Sequence, residues 1–286
     1  MAADQHHEIV QHEFVLLANR IADYCGIQYG DNLSSLASKV SGRLEELGCT
    51  CMQYMELLKT NPDEWRTLTE RITINETYFF REEQQLKEMN RLLPGIASVN
   101  YGGIRIWSAA CSTGEEPYSL LMSIAEQGSV PLESVSVQAT DINRRVLEIA
   151  RKGWYHRNSL CFRRTPEPLK QKYFVADGDG FAVMPSIRSR VQFDWCNLLR
   201  PGDKPAPESS LDIIFCRNVL IYFELPVIRD IVSYFHSRLK PGGYLFLGHA
   251  ETINGLETGF ESVHEQGTFY YRKGELPNET VRSTDR

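Results

Sequence analysis

The chain has 286 residues, 42% of them hydrophobic and 24% charged, a composition that excludes a disordered or fibrous protein and is typical of one large domain or two unequal ones. Its formal charge is −6, so it lacks the basic excess of a general nucleic-acid binder, and no nucleic-acid partner is predicted. No apolar run is long enough to span a bilayer, and the first residues lack a basic-then-apolar pattern, so we expect no secretory signal. We therefore expect a cytoplasmic protein without membrane insertion, and nothing in the sequence requires more than a monomer.

The cysteines predict reduced thiols and no metal site. Their number, seven, is odd and their spacing is irregular, which favours buried thiols over disulfides. Cys49 and Cys51 are separated by one residue, fewer than zinc sites usually have. His6, His7 and His12 lie near a terminus, where we expect no fixed ligand geometry.

The first 74 residues predict an all-helical domain, because apolar residues recur at the spacing of a helix face. The predicted helices are Phe14–Tyr24, Leu33–Leu47, Met52–Leu58 and Trp65–Ile72. Asp31 or Asn32 is expected to cap the second helix. Residues 75–90 are expected to link this domain to the rest of the chain and to contribute to a cofactor site, with helical character continuing to about residue 90.

Strands and helices alternate over residues 91–274, which predicts an α/β domain with a parallel sheet and helices on both faces. The predicted strands are Ile104–Ala110, Ser134–Thr140, Val191–Trp195, Leu211–Cys216 and Tyr244–Gly248, and the predicted helices are Tyr118–Gln127, Arg144–Lys152 and Pro226–Leu239. Phe260–Val263 and Thr268–Arg272 are expected to form an antiparallel edge. Residues 275–286 are a polar tail.

Residues 154–190 break this alternation and predict a small β insertion. Short strands are expected at Tyr173–Val175, Phe181–Met184 and Ile187–Val191, around a turn at residues 177–180. Insertions of this kind commonly carry partner recognition.

The stretch Ile104–Ser119, IRIWSAACSTGEEPYS, is the most informative in the chain. It predicts a strand that ends in small residues and re-enters as a helix after a turn with Gly114, leaving a crevice where open α/β sheets bind nucleosides. Glu115 and Glu116 occupy the helix start, which disfavours a phosphate there. A cationic or zwitterionic nucleoside fits better, and we expect S-adenosylmethionine, with Glu116 as the contact and Glu115 at the rim.

Other strand ends also carry polar residues. Asp141 is placed to accept hydrogen bonds from a ribose, or to cap the helix that follows. Arg217 and Asn218, with Tyr222 after them, present donors at the same edge of the sheet, or tie down a loop.

The remaining polar positions also allow two interpretations. Asn197 and Leu198 suit the edge and face of an adenine, or a turn capped by the asparagine. His249 and Glu251 follow the last parallel strand and are expected to stabilise a loop near the pocket. The segment NETYFFRE at 75–82 places Asn75, Thr77 and Arg81 on one side of a turn, although a capped helix start explains it equally simply.

Five segments, NETYFFRE, WSAACSTGEEPYS, ATDI, CNLL and FCRNVLIYF, together resemble the chemotaxis receptor glutamate O-methyltransferase (CheR) family. They occur in the family's order and at roughly its spacing, and the similarity covers most of the chain. The resemblance implies a class I (Rossmann-like) S-adenosylmethionine-dependent methyltransferase sheet with a small β insertion and an all-helical N-terminal domain. It also implies that the product is a glutamyl methyl ester on the cytoplasmic helices of a chemotaxis receptor, with S-adenosylhomocysteine released.

The resemblance also implies roles for individual residues. Those expected to contact the cofactor are Asn75, Thr77, Arg81, Glu116, Asp141, Asn197, Leu198, Arg217 and Asn218. Arg81 and Tyr222 match positions of the methyl-transfer centre. In this family some members bind a receptor's C-terminal pentapeptide tether through the β insertion, but the turn at residues 176–180 is short and acidic here, which argues against tether binding.

The acceptor region of the receptor is acidic, so a basic docking face is expected in spite of the negative net charge. The candidates in the helical domain are Arg20, Lys39, Arg43, Lys59, Arg66 and Arg71, and a solvated helical surface explains them equally well. Two other functions remain open at this point: a methyltransferase for RNA or a small molecule, and a receptor-array adaptor that binds the cofactor without catalysis.

Overall fold

A computed structural model describes residues 2–30, 32–100, 102–202 and 206–274. Asp31, the tail at 275–286 and the side chains of His6 and His7 lie outside this description. The helices are α1 (Ala2–Cys25), α2 (Leu33–Leu47), α3 (Cys51–Thr60), α4 (Pro62–Ile72), α5 (Glu83–Val99), α6 (Glu115–Gln127), α7 (Arg144–Lys152), α8 (Glu167–Tyr173), α9 (Pro185–Arg188) and α10 (Leu225–Arg238). The strands are β1 (Ile104–Ala109), β2 (Val135–Asp141), β3 (Trp154–His156), β4 (Phe174–Asp177), β5 (Gly180–Val183), β6 (Val191–Trp195), β7 (Leu211–Cys216), β8 (Leu239–Leu247), β9 (Phe260–Glu265) and β10 (Thr268–Lys273). None of the described helices is both long and apolar enough to cross a membrane.

Helices α1 to α4 pack around one apolar cluster, built on Leu17, Leu36 and Tyr54, all fully buried. Helix α3 begins with a capping box in which Thr50 and Gln53 satisfy each other's backbone amides. Asn32 precedes α2, but its side chain makes no capping hydrogen bond. The prediction that Asn32 caps α2 is therefore wrong.

The segment between α4 and α5 is not helical, which corrects the expectation of helix up to about residue 90. Phe79 is buried against the rings of Tyr155, Phe162 and Phe174, and its amide donates to the carbonyl of Cys161. This packing against the insertion holds the segment in an irregular path, and α5 starts only at Glu83. NETYFFRE is thus not a capped helix start.

Seven strands form the central sheet in the order β6-β2-β1-β7-β8-β10-β9. All neighbouring pairs from β6 to β8 are parallel, and β10 runs antiparallel to both of its neighbours. Alternate residues of β7 face opposite sides: Ile213 packs with α5 and α6, and Ile214 packs with α10. The carboxyl ends of the parallel strands therefore meet at one edge, as the sequence predicted.

Strand β8 begins at Leu239, five residues earlier than predicted, and α10 ends at Arg238. Leu239 pairs with Leu211 across a register shift, and the ammonium of Lys240 binds the buried carboxylate of Asp212 at 2.8 Å. Residues 240–243 bulge out of the pairing between these contacts, since Ile213 next pairs with Tyr244 and Gly242 has a φ of 76°.

The β insertion is a separate three-stranded sheet in the order β3-β5-β4. The predicted strand at Ile187–Val191 is wrong, because Pro185 starts the short helix α9 and Val191 already belongs to the central sheet. Strand β3 and helix α8 were not predicted, since both are too short to show a clear period.

The six basic residues of the helical domain do not form an unpaired basic face. Arg43 binds Glu64 at 2.7 Å, and Arg71 binds Glu46 at 2.8 Å. Arg66 and Lys59 pair with carboxylates on their own helices, Arg20 donates to the carbonyl of Met55, and Lys39 lies inside a cavity described below. Internal pairing therefore uses most of the charge that was considered for docking.

Candidate active site

A cavity of about 320 Å³ lies at the carboxyl ends of the parallel strands, between the sheet and the helical domain. Every residue assigned to the site from the sequence lines it: Asn75, Thr77, Arg81, Glu116, Asp141, Asn197, Leu198, Arg217, Asn218 and Tyr222. The fold thus brings together five segments that are far apart in the chain.

The turn after β1 is held by Asp141. Its carboxylate accepts hydrogen bonds from the amides of Ser112 at 2.8 Å and Asn143 at 2.9 Å. Burial raises the pKa of Asp141 to about 6, against the lowering effect of these amides. Asn143, not Asp141, caps α7, so Asp141 supports the turn and faces the cavity, where its carboxylate has capacity for further donors.

Glu115 does not lie at the rim, which corrects the expectation from the sequence. Its side chain is buried beneath the turn, outside the cavity lining, and accepts a hydrogen bond from the hydroxyl of Thr113 at 2.6 Å. Burial raises the pKa of Glu115 to about 7. Glu116 points about 100° away from Glu115 around the helix axis and lines the cavity.

Glu116 and Arg217 form a buried ion pair on the floor of the cavity. The distance from Nε of Arg217 to the Glu116 carboxylate is 2.6 Å, and Ser108 donates to the second carboxylate oxygen at 2.6 Å. Arg217 also donates to the carbonyl of Arg81 at 2.8 Å. The charge of Glu116 is therefore largely balanced by Arg217, which in turn fixes the backbone of the NETYFFRE segment.

Glu251 organises the loop after β7. It accepts hydrogen bonds of 2.7 to 2.8 Å from the amides of Asn218, Val219, Leu220 and Gly248. The prediction that Glu251 stabilises a loop near the pocket is confirmed. His249 takes part through its amide, which donates to the carboxylate of Glu82 at 3.3 Å, while its side chain is 54% exposed.

Backbone strain is concentrated around the cavity. Among the described residues other than glycine, positive φ angles occur at Phe80, Glu82, Ala110, Ser112, Asn218, Ser209 and Gln266. The first five belong to the loops that surround the cavity. Residues in this region cost about 1 kcal/mol or more each and persist where surrounding contacts hold them, as Asp141 holds Ser112 and Glu251 holds Asn218.

Arg81 and Tyr222 are far apart in the sequence, and both line the cavity. Nη1 of Arg81 contacts the carbonyl of Glu76 at 3.4 Å, and no described carboxylate forms an ion pair with it. Burial raises the pKa of Tyr222 above its usual value, so its hydroxyl stays protonated at neutral pH. Both groups are available as hydrogen-bond donors.

Asn197 matches its alternative interpretation as a structural residue. Its amide donates to the carbonyl of Tyr24 at 2.6 Å, and its carbonyl oxygen accepts from the amide of Leu199 at 3.0 Å. The side chain therefore caps a turn and joins the sheet to the helical domain, while Leu198 offers an apolar surface to the cavity.

Sequence reasoning did not assign any residue before Asn75 to the site, and it therefore missed Lys39 and Tyr29. Lys39 lines the cavity, donates to the carbonyl of Ile72 at 2.7 Å and lies 5.8 Å from the ring centroid of Tyr29. Burial lowers the pKa of Lys39 and raises that of Tyr29 to about 12. Spacing along the chain carries no signal for either position, because only the packing of the helical domain against the rest of the chain brings them to the cavity.

The lining fits a nucleoside cofactor. The hydroxyl of Tyr29 and the side-chain oxygen of Asn218 are buried and have no hydrogen-bond partner within the described residues, although both residues line the cavity. Buried polar atoms of this kind usually find a partner. Apolar walls at Ile142 and Leu198, with a carboxylate at the end of β2, complete the features expected for an adenine and a ribose.

This sheet order, with its single reversed strand and its nucleoside cavity at the carboxyl ends, defines a class I (Rossmann-like) S-adenosylmethionine-dependent methyltransferase. The chain belongs to the CheR methyltransferase family. The family's SAM binding domain matches residues 75–269, and its all-alpha domain matches residues 12–73. The resemblance read from the sequence, the fold class and the cofactor are thereby confirmed, and the protein is an enzyme.

Curated relatives cover nearly the whole chain. The Pseudomonas aeruginosa chemotaxis protein methyltransferase 1 is 38% identical over 270 residues, which are 91% of this chain and 97% of that protein. The Escherichia coli chemotaxis protein methyltransferase is 37% identical over 257 residues, 86% of each chain. The Pseudomonas putida chemotaxis protein methyltransferase Cher2 is 37% identical over 261 residues, 87% of this chain and 94% of that protein.

Proposed function

We propose that this enzyme methylates glutamate side chains on the cytoplasmic helices of chemotaxis receptors, producing glutamyl methyl esters and S-adenosylhomocysteine in sensory adaptation. The names of its relatives point to chemotaxis. The structural observation that carries the proposal is Arg81, a guanidinium beside the cavity that no described carboxylate pairs with. Such a group suits an acceptor that is itself a carboxylate. Because these receptor helices are cytoplasmic, we expect the enzyme to act in the cytoplasm.

The acceptor requires no general base. A glutamate has a reference pKa of about 4.3 and is ionised at neutral pH. When bound, S-adenosylmethionine supplies a methyl group on a positively charged sulfur, an electrophile that a carboxylate oxygen attacks directly. The protein's contribution is to position the acceptor and to remove water from it.

The residues of the cavity divide this work. Arg81 holds one oxygen of the acceptor carboxylate, and the protonated hydroxyl of Tyr222 donates to it. Asp141, Asn218 and Thr77 bind the cofactor. Glu116 pairs with Arg217 at 2.6 Å, and the carboxylate of Glu82 lies 3.6 Å from the same guanidinium. Arg217 therefore offsets part of the negative charge that an incoming carboxylate meets.

The decisive experiment incubates the enzyme with labelled S-adenosylmethionine and a panel of receptor cytoplasmic fragments. We expect base-labile label on the fragments. Arg81→Ala should lower kcat/KM by at least about 100-fold, as removal of one positioned donor typically does. Affinity for S-adenosylhomocysteine should fall by a smaller factor, because Arg81 also lines the cofactor cavity. Near-normal turnover in this variant would remove the proposed role of Arg81.

The same assay separates the alternatives. Label that resists base, or label only on RNA or a small molecule, would contradict a glutamate acceptor. Cofactor binding without any transfer would indicate an adaptor.

We also propose that the receptor is recognised without a C-terminal tether. Strands β4 and β5 are joined by a turn of only two residues, Gly178 and Asp179, with Asp177 beside it. This hairpin offers a peptide only a short contact surface, with the carboxylates of Asp177 and Asp179 at its end. A receptor fragment with and without its last five residues should be methylated at the same rate, and a large loss on truncation would contradict the proposal.

A further inference from the structure

The positive charge of this chain is concentrated in one segment. Residues 144–190 contain eleven Lys and Arg and four Asp and Glu, a net charge of +7 in a chain whose total is −6. Within the described residues only Arg163, Lys172 and Arg190 of this segment form ion pairs with carboxylates. The segment comprises α7 and the β insertion, and one of its arginines reaches the cavity entrance.

That arginine is Arg163. Its guanidinium lies over the ring of Tyr78, 3.8 Å from the centroid, and the guanidinium of Arg81 lies 5.5 Å from the same centroid. Arg163 also binds the carboxylate of Glu76 at 2.8 Å, and both Glu76 and Arg81 line the cavity. The β insertion thus places a second guanidinium beside the one that holds the acceptor.

The ion pair between Arg163 and Glu76 can be exchanged for another. The side chain of Glu76 is 74% exposed, and exposed ion pairs contribute at most about 1 kcal/mol. A carboxylate on a substrate can therefore replace Glu76 at little cost, whereas the stacking on Tyr78 keeps the guanidinium in place.

We propose that Arg163 is a specificity-determining residue that binds a second carboxylate on the acceptor protein, close to the glutamate held by Arg81. This inference rests on the proposed function. Both guanidinium distances are measured to one centroid, so their carbons lie less than about 10 Å apart, a separation that side chains one helical turn apart can bridge. The occupant is an acidic helical segment of the substrate with a carboxylate three or four positions from the acceptor.

The test uses two receptor fragments that differ in one residue, a glutamate or a glutamine at that flanking position. The wild-type enzyme should show a kcat/KM about fivefold to tenfold higher for the glutamate fragment, in the range of a charge-assisted hydrogen bond. Arg163→Gln should abolish this preference through KM, and Arg163→Lys should restore part of it. Arg164→Gln is the matched control, because Arg164 is adjacent and exposed and should leave the preference intact.

For a second variant, Glu76→Gln, we expect kcat/KM to rise rather than fall. Glu76→Gln removes the carboxylate that competes for Arg163, so kcat/KM for the glutamate fragment should rise a few-fold. In the double variant with Arg163→Gln this gain should disappear.

The outcomes separate this inference from the function on which it rests. An Arg163→Gln enzyme that keeps the preference, or that loses activity equally on both fragments, would overturn the role of Arg163 while the methyltransfer to glutamate stands. A wild-type enzyme that binds S-adenosylhomocysteine but esterifies neither fragment would overturn the proposed function itself.

Discussion

Two buried carboxylates, Asp141 and Glu251, stabilise the loops of the active site without taking part in the reaction. Asp141 and Glu251 together accept six backbone hydrogen bonds. The amides they bind include those of Ser112 and Asn218, both at positive φ. Each carboxylate therefore offsets local backbone strain at a strand end, and its own burial is compensated by the amides that it accepts.

Glu251→Gln should disturb this arrangement although the two side chains have the same shape. One oxygen that accepts two amides becomes an NH₂ group facing donors, so two backbone amides lose their partner. We expect a loss of roughly 2–4 kcal/mol in the free energy of unfolding, measured by chemical denaturation, with weaker binding of S-adenosylhomocysteine by calorimetry. The control Glu257→Gln changes an exposed residue of the same loop, and equal stability of the two variants would contradict this account.

The pKa of Asp141 predicts a pH-dependent affinity for the cofactor. Burial raises this pKa to about 6, so at pH 5 most molecules carry a protonated side chain that accepts hydrogen bonds less well. The Kd for S-adenosylhomocysteine should therefore rise about tenfold between pH 7 and pH 5. Calorimetry on Asp141→Asn should give weaker binding with a flatter pH profile. A wild-type Kd that stays constant over this range would contradict the role of Asp141 in cofactor binding.

At the scale of elements, the turn between β1 and α6 depends on how closely it approaches α7. Gly114 has a φ of 93°, and a Cβ built there would lie 2.9 Å from the Cβ of Ala150. An alanine would need both a strained backbone and a displaced helix, because the contact is with the body of α7 rather than with a flexible side chain.

Gly114→Ala should therefore lower the free energy of unfolding by roughly 2 kcal/mol or more. The shift of the turn should also weaken cofactor binding, since Ser112 and Glu116 flank this glycine. Gly128→Ala is a comparison at another helix end with positive φ but open space around it. If both variants lose the same stability, backbone strain alone accounts for the effect and the close approach to α7 does not.

The elements that sequence patterns located best are those with one consistent environment. Strand β7 is buried along its whole length, and α7 has a clear apolar face between an asparagine cap and Gly153, so their predicted bounds are those observed. The NETYFFRE segment failed as a helix start because the partners of Phe79 come from the insertion, more than 70 residues later in the chain. Local patterns cannot contain that information.

The site, like the fold, was predicted where local patterns determine it and missed where distant parts of the chain do. Motifs at strand ends identified the residues that share the cavity, because the carboxyl ends of parallel strands must meet. They misplaced Glu115, since two adjacent carboxylates at a helix start give no indication of which one faces inward. They also missed Tyr29 and Lys39, whose position depends on how two domains pack.

At the scale of the whole molecule, the helical domain is joined to the sheet by polar contacts around the cavity. The amide of Gln28 donates to the carbonyl of Tyr222 at 3.0 Å, and Asn143 donates to the hydroxyl of Thr73 at 2.8 Å. Asn197 adds its bond to Tyr24. Tyr222 and Asn197 themselves line the cavity, so cofactor binding and the packing of the two parts of the chain share the same residues.

Glu115 should make the stability of the whole protein depend on pH. Its pKa is about 7 in the folded chain and about 4.3 in an unfolded one. The folded state therefore binds the proton more tightly, and the stability from this group is present below about pH 4 and is lost as the pH rises through 7. The variant Glu115→Gln has no ionisable group at this position, so its stability should not fall in this way as the pH rises.

We therefore expect the free energy of unfolding of Glu115→Gln, minus that of the wild type, to rise by roughly 2–3 kcal/mol from pH 5 to pH 8. Chemical denaturation of both proteins at each pH measures this difference. Asp141 also titrates in this range, but it is present in both proteins and cancels in the difference. Glu167→Gln, at an exposed helix start, should show no such trend. A difference between Glu115→Gln and wild type that does not grow with pH would mean that Glu115 is ionised in the folded protein at little cost. The buried carboxyl beneath the turn would then have to be stabilised by more than the single hydroxyl of Thr113.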